Sequence, residues 1–149
     1  MPKLSKTDTV IHSFEKVMNQ YILSEKKPRN YGTDQLYHRS EVHTIDAIGK
    51  HNSINVTTLA NYLGITKGAV SQMIDKLIKK GLVIKTVLSK SDTEVALSLT
   101  LKGKQVYEGH NEYHYEFYKR IEKELADMSE HDIQIFLNIM DNLSKILIE

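Results

Sequence analysis

Residues 56–81, VTTLANYLGITKGAVSQMIDKLIKKG, restrict this chain more than any other stretch. Apolar residues recur there at helical spacing twice, with a glycine between the two runs. Val56, Leu59, Ala60 and Leu63 fall on one face of a first short helix. Val70, Met73, Ile74, Leu77 and Ile78 fall on one face of a second, at the i, i+3, i+4, i+7, i+8 spacing of an amphipathic helix. Gly64 stands where a tight turn needs positive φ, Thr66 can cap the second helix, and Gly81 can end it. The outward face of the second helix then carries Lys67, Gly68, Ser71, Gln72, Asp75, Lys76 and Lys79. Donors, small residues and cations on one helix face suit a nucleic-acid groove. The pattern predicts a helix-turn-helix.

Charge sharpens that expectation. The net charge is only +1, but it is unevenly spread. Residues 65–90 hold six lysines (67, 76, 79, 80, 85 and 90) against Asp75 alone, whereas residues 101–149 hold six basic and ten acidic residues. A local basic cluster attracts phosphates whatever the overall charge. Scattered lysines more often mark a solvated helix face, but here they coincide with the helix-turn-helix pattern. The chain has 149 residues, enough for one domain or two closely joined lobes. No apolar run approaches the roughly 20 residues of a membrane span, the first ten residues lack a signal-peptide core, and there is no cysteine. A cytoplasmic protein with no membrane partner is expected.

The remaining segments give a mainly α chain with one small β-hairpin. A first helix over residues 5–25 carries the stripe Val10, Ile11, Phe14, Val17, Met18, Tyr21 and Ile22. Lys26 to Asp34 breaks it with proline and glycine. Ser40 is expected to cap a second helix that runs to about Lys50 and buries Val42, Ile45 and Ile48. After Gly81, the runs Leu82–Leu88 and Val95–Leu99 read as a hairpin, a wing behind the recognition helix. Thr100 opens a long helix to about Asp127. Ser129 and Asp132 form a capping box for a last helix expected to bury Ile133, Phe136, Leu137, Met140, Leu143 and Leu147. The apolar terminal helices either complete the core or pair with a second copy. One recognition helix covers few base pairs, which favours pairing.

With these residues in view, the sequence resembles the MarR family of bacterial and archaeal transcriptional regulators. The resemblance spans nearly the whole chain and rests on LANYLGITKGAVSQMIDKLIKKGLVIK (59–85), LTLKGK (99–104) and the helix order. It implies a winged helix-turn-helix of six helices and an intertwined homodimer on a palindromic operator, usually a repressor. It divides the chain into a dimerisation lobe, about 1–36 and 104–149, and a DNA-binding lobe, about 37–103. It carries DNA contacts onto Thr66, Lys67, Gly68, Ser71, Gln72 and Lys76. Ser71 and Gln72 would meet base edges, and Lys67, Lys76 and Lys79 phosphates. One departure matters. The family wing usually carries Asp-x-Arg, but here the tip reads Ser91-Asp92-Thr93-Glu94. Minor-groove readout by arginine is then missing, and Lys90 would act only electrostatically.

Three of the seven histidines stand out. His110 and His114 share a helix face at i, i+4, a spacing that lets two imidazoles reach one metal ion. The resemblance brings His43 of the second helix toward them, with Glu41 or Glu112 as an oxygen ligand, in the places used by the zinc-sensing branch. No cofactor is required, and zinc is the ion such a set would take. Histidines on an apolar stripe are equally often hydrogen-bonded core residues. The same crevice would otherwise hold a small aromatic or anionic effector beside Tyr21, Tyr37 or Tyr113. An enzyme is not expected. The chain has no phosphate-binding glycine loop, nucleophile elbow or cysteine nucleophile, and the distant alternative is a histidine-ligated metalloenzyme.

Overall fold

Hydrogen-bonded caps set the boundaries of the two central helices. The computed structural model describes residues 5–87 and 95–148. Asn55 caps α3 (Val56–Leu63) by accepting the Thr58 N–H at 2.8 Å. Gly64 then turns the chain at φ +65, a conformation glycine adopts without strain. Thr66 caps α4 (Lys67–Lys79), its hydroxyl accepting the Ala69 N–H at 3.2 Å. At the far end, Gly81 at φ +71 donates to Ile78 O at 2.9 Å, and Leu82 donates to Leu77 O at 2.9 Å. This pair of bonds is a Schellman motif, sealed by the apolar contact of Leu77 with Leu82 expected of it.

The other elements, in chain order, are α1 (Lys6–Lys26), α2 (Arg39–His51), β1 (Val83–Val87), β2 (Val95–Leu99), α5 (Leu101–Leu125) and α6 (Glu130–Ile146). The strands pair antiparallel, Val83 opposite Leu99 and Val87 opposite Val95. Two compact units result, Met1–Asn111 and Glu112–Glu149. The core belongs to the first. Ile45 and Ile48 of α2, Leu59 of α3, Ile74 and Leu77 of α4, and Leu97 of β2 are fully buried there. Ile54 lengthens the sheet, exchanging both backbone hydrogen bonds with Leu97 at 3.3 and 2.8 Å. The sequence pattern suggests only a loop at that point, because one apolar residue in HNSIN carries no alternation.

Two expectations change. The cap of α2 is His38, not Ser40. Glu41, three residues on, accepts the His38 N–H at 2.9 Å, and Ser40 lies inside the first turn. In the single chain α6 buries none of its apolar residues, and Ile133 and Leu143 are only half-buried. α1 likewise buries none. The wing tip, with Lys90 and Ser91–Glu94, falls outside the described residues. The helix start at Thr100 and the Ser129–Asp132 capping box are as expected.

α5 begins against the end of the helix-turn-helix. Leu82 O accepts the Thr100 N–H at 3.0 Å, and a Cβ on Gly103 would stand 2.1 Å from the same oxygen. That neighbour is backbone, already fixed by the Schellman turn. Gly103→Ala should therefore destabilise the protein by about 2–3 kcal/mol, the upper range for overpacking. Urea denaturation would measure it.

Candidate nucleic-acid interface

Burial sorts the residues of α4 into two faces. Val70, Ile74 and Leu77 are fully buried, while Lys67, Gly68, Ser71, Gln72, Asp75, Lys76 and Lys79 are exposed. Thr66, at the N-terminal end, is exposed too. That end carries the positive pole of the helix and suits an anion. Among the described residues neither Ser71 nor Gln72 has a side-chain hydrogen bond, so both keep their full donor and acceptor capacity. With small Gly68 and Ala69 beside them, the helix can approach a groove floor.

The lysines are less uniform than their number suggests. Lys85 pairs with Asp75 at 3.0 Å. Lys80 and Lys76 both reach Glu41 Oε1, at 2.6 and 3.2 Å. Lys80 also lies over the Tyr37 ring, 5.4 Å from its centroid. Among the described residues Lys67 and Lys79 have no ion pair.

Glu41 is the hub of this arrangement. It is fully buried at the start of α2, where burial by itself would push its carboxyl upward. The hydrogen bonds from Lys80, the His38 N–H and Lys76, with the Lys80 charge, override that and hold it below the ordinary glutamate value. Both oxygens are thereby engaged, so the oxygen-ligand role expected for Glu41 is not where the structure uses it. Sequence reasoning misses the pairing because its partners lie 35 and 39 positions away. The only signal is an acid at the third position of a helix that otherwise buries apolar residues.

The histidines divide between the units. His43 and His110 lie together in the first, ring centroids 5.8 Å apart. His110 Nδ1 is 3.8 Å from Asp46 Oδ1, and Tyr31 meets the His110 ring edge-on at 5.6 Å. Asp46 also takes Lys50 at 2.6 Å. His114 belongs to the second unit, its ring against Tyr113 and Tyr118 at 5.8 and 6.0 Å. Among the described residues no group of three or more histidine, aspartate or glutamate side chains is arranged to hold a metal ion. A cavity of about 440 Å³ opens where α1 meets α2, lined by Tyr21, Ile22, Glu25, Lys26, His38, Arg39 and Ser40. Arg39 and Glu25 pair across it at 2.6 Å.

A capped helix pair with an exposed polar second helix, followed by an antiparallel hairpin, defines a winged helix-turn-helix protein. Residues 38–90 match the family model described as the MarR family. It is 33% identical over 84 residues to the Bacillus subtilis (strain 168) protein called uncharacterized HTH-type transcriptional regulator YhjH, covering 56% of this chain and 48% of that one. A second B. subtilis relative is covered over 64% of its length. The chain thus spans about half to two thirds of the curated relatives it matches. Two solved structures share the fold along nearly the whole chain. Streptococcus pneumoniae FabT, in complex with DNA, gives a TM-score of 0.72 at 24% identity, covering 95% of this chain and 97% of that one. Lactococcus lactis ZitR, described as zinc-responsive and also solved with DNA, gives 0.77 at 16% identity, covering 97% and 99%.

Linkage fixes how Glu41 contributes. Its native pKa is depressed, so its stabilisation is complete above the ordinary glutamate value of 4.5 and is lost as the pH falls through the native one. Glu41→Gln should cost about 2 kcal/mol at pH 7, as for a buried partner removed from a charged hydrogen-bond set. The gap to the wild type should narrow steadily as the pH falls below 4.5. Denaturation at a series of pH values would check both parts.

Proposed function

We propose that the protein is a sequence-specific DNA-binding transcriptional regulator, a repressor, acting in the cytoplasm as a homodimer on a palindromic operator. The exposed face of α4, with Ser71 and Gln72 uncommitted and cations beside them, carries this reading. α4 enters the major groove by its N-terminal end. Gln72 pairs with adenine, Ser71 meets a neighbouring base edge, and Thr66 and Gly68 allow close approach. Lys67 and Lys79 hold phosphates and set the register. Lys76 stands on the same face, its ammonium shared with Glu41. Lys90, outside the described residues, is kept as an electrostatic contact of this reading.

The dimer follows from surface chemistry. α1 presents Val17 at 63% exposure and α6 presents Phe136 at 52%, both within apolar stripes that a single chain leaves in water. A second copy removes that surface. The dimerisation lobe is then about 1–36 and 104–149, and the DNA-binding lobe about 37–103. Two recognition helices reach half-sites roughly 34 Å apart along the duplex.

Gln72→Ala should relax the operator at one base pair in each half-site. A bidentate contact is worth about 1–3 kcal/mol of discrimination. Selection of operators from random duplexes, followed by anisotropy titration, would reveal this. Uniform weakening at every position would mean that Gln72 does not read a base.

The effector completes the reading. His43 and His110 are the adjacent imidazoles, and the likeness to zinc-responsive ZitR supports zinc as the ion to test. No step of DNA recognition is routed through a metal, because no ligand group of three stands among the described residues. Metal content of untagged protein decides the matter. Zinc bound to the wild type and absent from His110→Ala supports metal sensing. No zinc in either favours a small aromatic anion in the cavity beside Tyr21, where Lys26, His38 and Arg39 supply positive charge.

A further inference from the structure

We propose that Glu41 is an internal counter-charge that withholds Lys76 from DNA phosphates, leaving Lys67 and Lys79 to carry the phosphate contacts of α4. The inference rests on the DNA-binding reading above. It starts from the cost of a buried carboxylate. Glu41 is fully enclosed, and a carboxylate there must be paired and hydrogen-bonded. Oε2 is satisfied by the His38 N–H at 2.9 Å. Oε1 draws two ammonium groups, Lys80 at 2.6 Å and Lys76 at 3.2 Å.

The two lysines differ in freedom. Lys80 is 29% exposed and is held further by the Tyr37 ring, whereas Lys76 is 51% exposed and sits on the outward edge of α4. Only Lys76 has a choice between Glu41 and DNA. A phosphate on the duplex surface is surrounded by water and condensed cations, which weakens its pull. Glu41 acts from a less polar setting, where the same attraction is stronger. Lys76 therefore stays with Glu41 when DNA arrives.

The consequence is for specificity. Each lysine on a phosphate raises affinity for every sequence alike. Tying Lys76 inward lowers the non-specific part and leaves a larger share of binding to Ser71 and Gln72. Glu41 thus acts as a positioning residue that never touches DNA.

The salt dependence of binding to an operator and to a random duplex tests this. Lys67→Gln and Lys79→Gln should each flatten the slope of log affinity against log salt, by about 0.9 for each phosphate no longer neutralised. Lys76→Gln should leave it unchanged. Glu41→Gln should steepen it by about 0.9 per lysine released and raise random-duplex affinity more than operator affinity. Adding Lys76→Gln to Glu41→Gln should restore the wild-type slope, a reversal that a purely structural role would not produce. Lys76→Gln flattening the slope as much as Lys67→Gln overturns the proposal. So does a folded Glu41→Gln variant with an unaltered slope. Should Glu41→Gln fail to fold, the comparison of the three lysine variants decides by itself. A wild type that binds no duplex in a salt-dependent way overturns the DNA-binding reading and this one with it, an outcome distinct from the others.

Discussion

The position of α4 depends on one buried carboxylate. Apolar packing by Val70, Ile74 and Leu77 fixes which face of α4 looks inward, but apolar contacts are non-directional and leave the helix able to slide or rock. Glu41 supplies direction. It joins the first turn of α2, through the His38 N–H, to the last turn of α4, through Lys76 and Lys80. The acid lies at the start of its helix and the lysines at the end of theirs, so each charge also complements its own helix dipole. Such a set adds little to stability over an apolar replacement. Its value is that only one arrangement satisfies every member.

That arrangement connects the reading surface to the segment before α2. Tyr37, fully buried, pairs with Arg29 across an isolated bridge and lies beneath Lys80. His38 and Arg39 follow at once, one bonded to Glu41 through its backbone, the other paired with Glu25 of α1. α1 is thus linked to α4 through charged contacts and one ring.

How much of this is readable from the sequence depends on range. The helix-turn-helix is legible because its signals are local: a 3.6-residue apolar period, Gly64 at the turn, Thr66 at the cap and Gly81 at the stop. The hairpin runs are legible for the same reason. The Ile54–Leu97 bridge is not, because a single isoleucine between polar neighbours has no period. The cap of α2 lies two residues before the expected one, because a serine is a commoner cap than a histidine whose N–H is satisfied from Glu41. Glu41 itself reads as a metal ligand because nothing local announces partners at 76 and 80.

The terminal helices illustrate the opposite case, in which the pattern is plain and the faces stay exposed. Phe136, Leu137 and Met140 are more than a third exposed, as are Val10, Val17 and Met18. A stripe of this kind is costly in water at about 25 cal/mol per Å² of apolar surface. The same periodicity that identifies Leu59 and Ile74 as core identifies these residues. The difference is that α3 and α4 find their complement within Met1–Asn111, whereas α1 and α6 have no buried residues. Periodicity reports that a face must be covered.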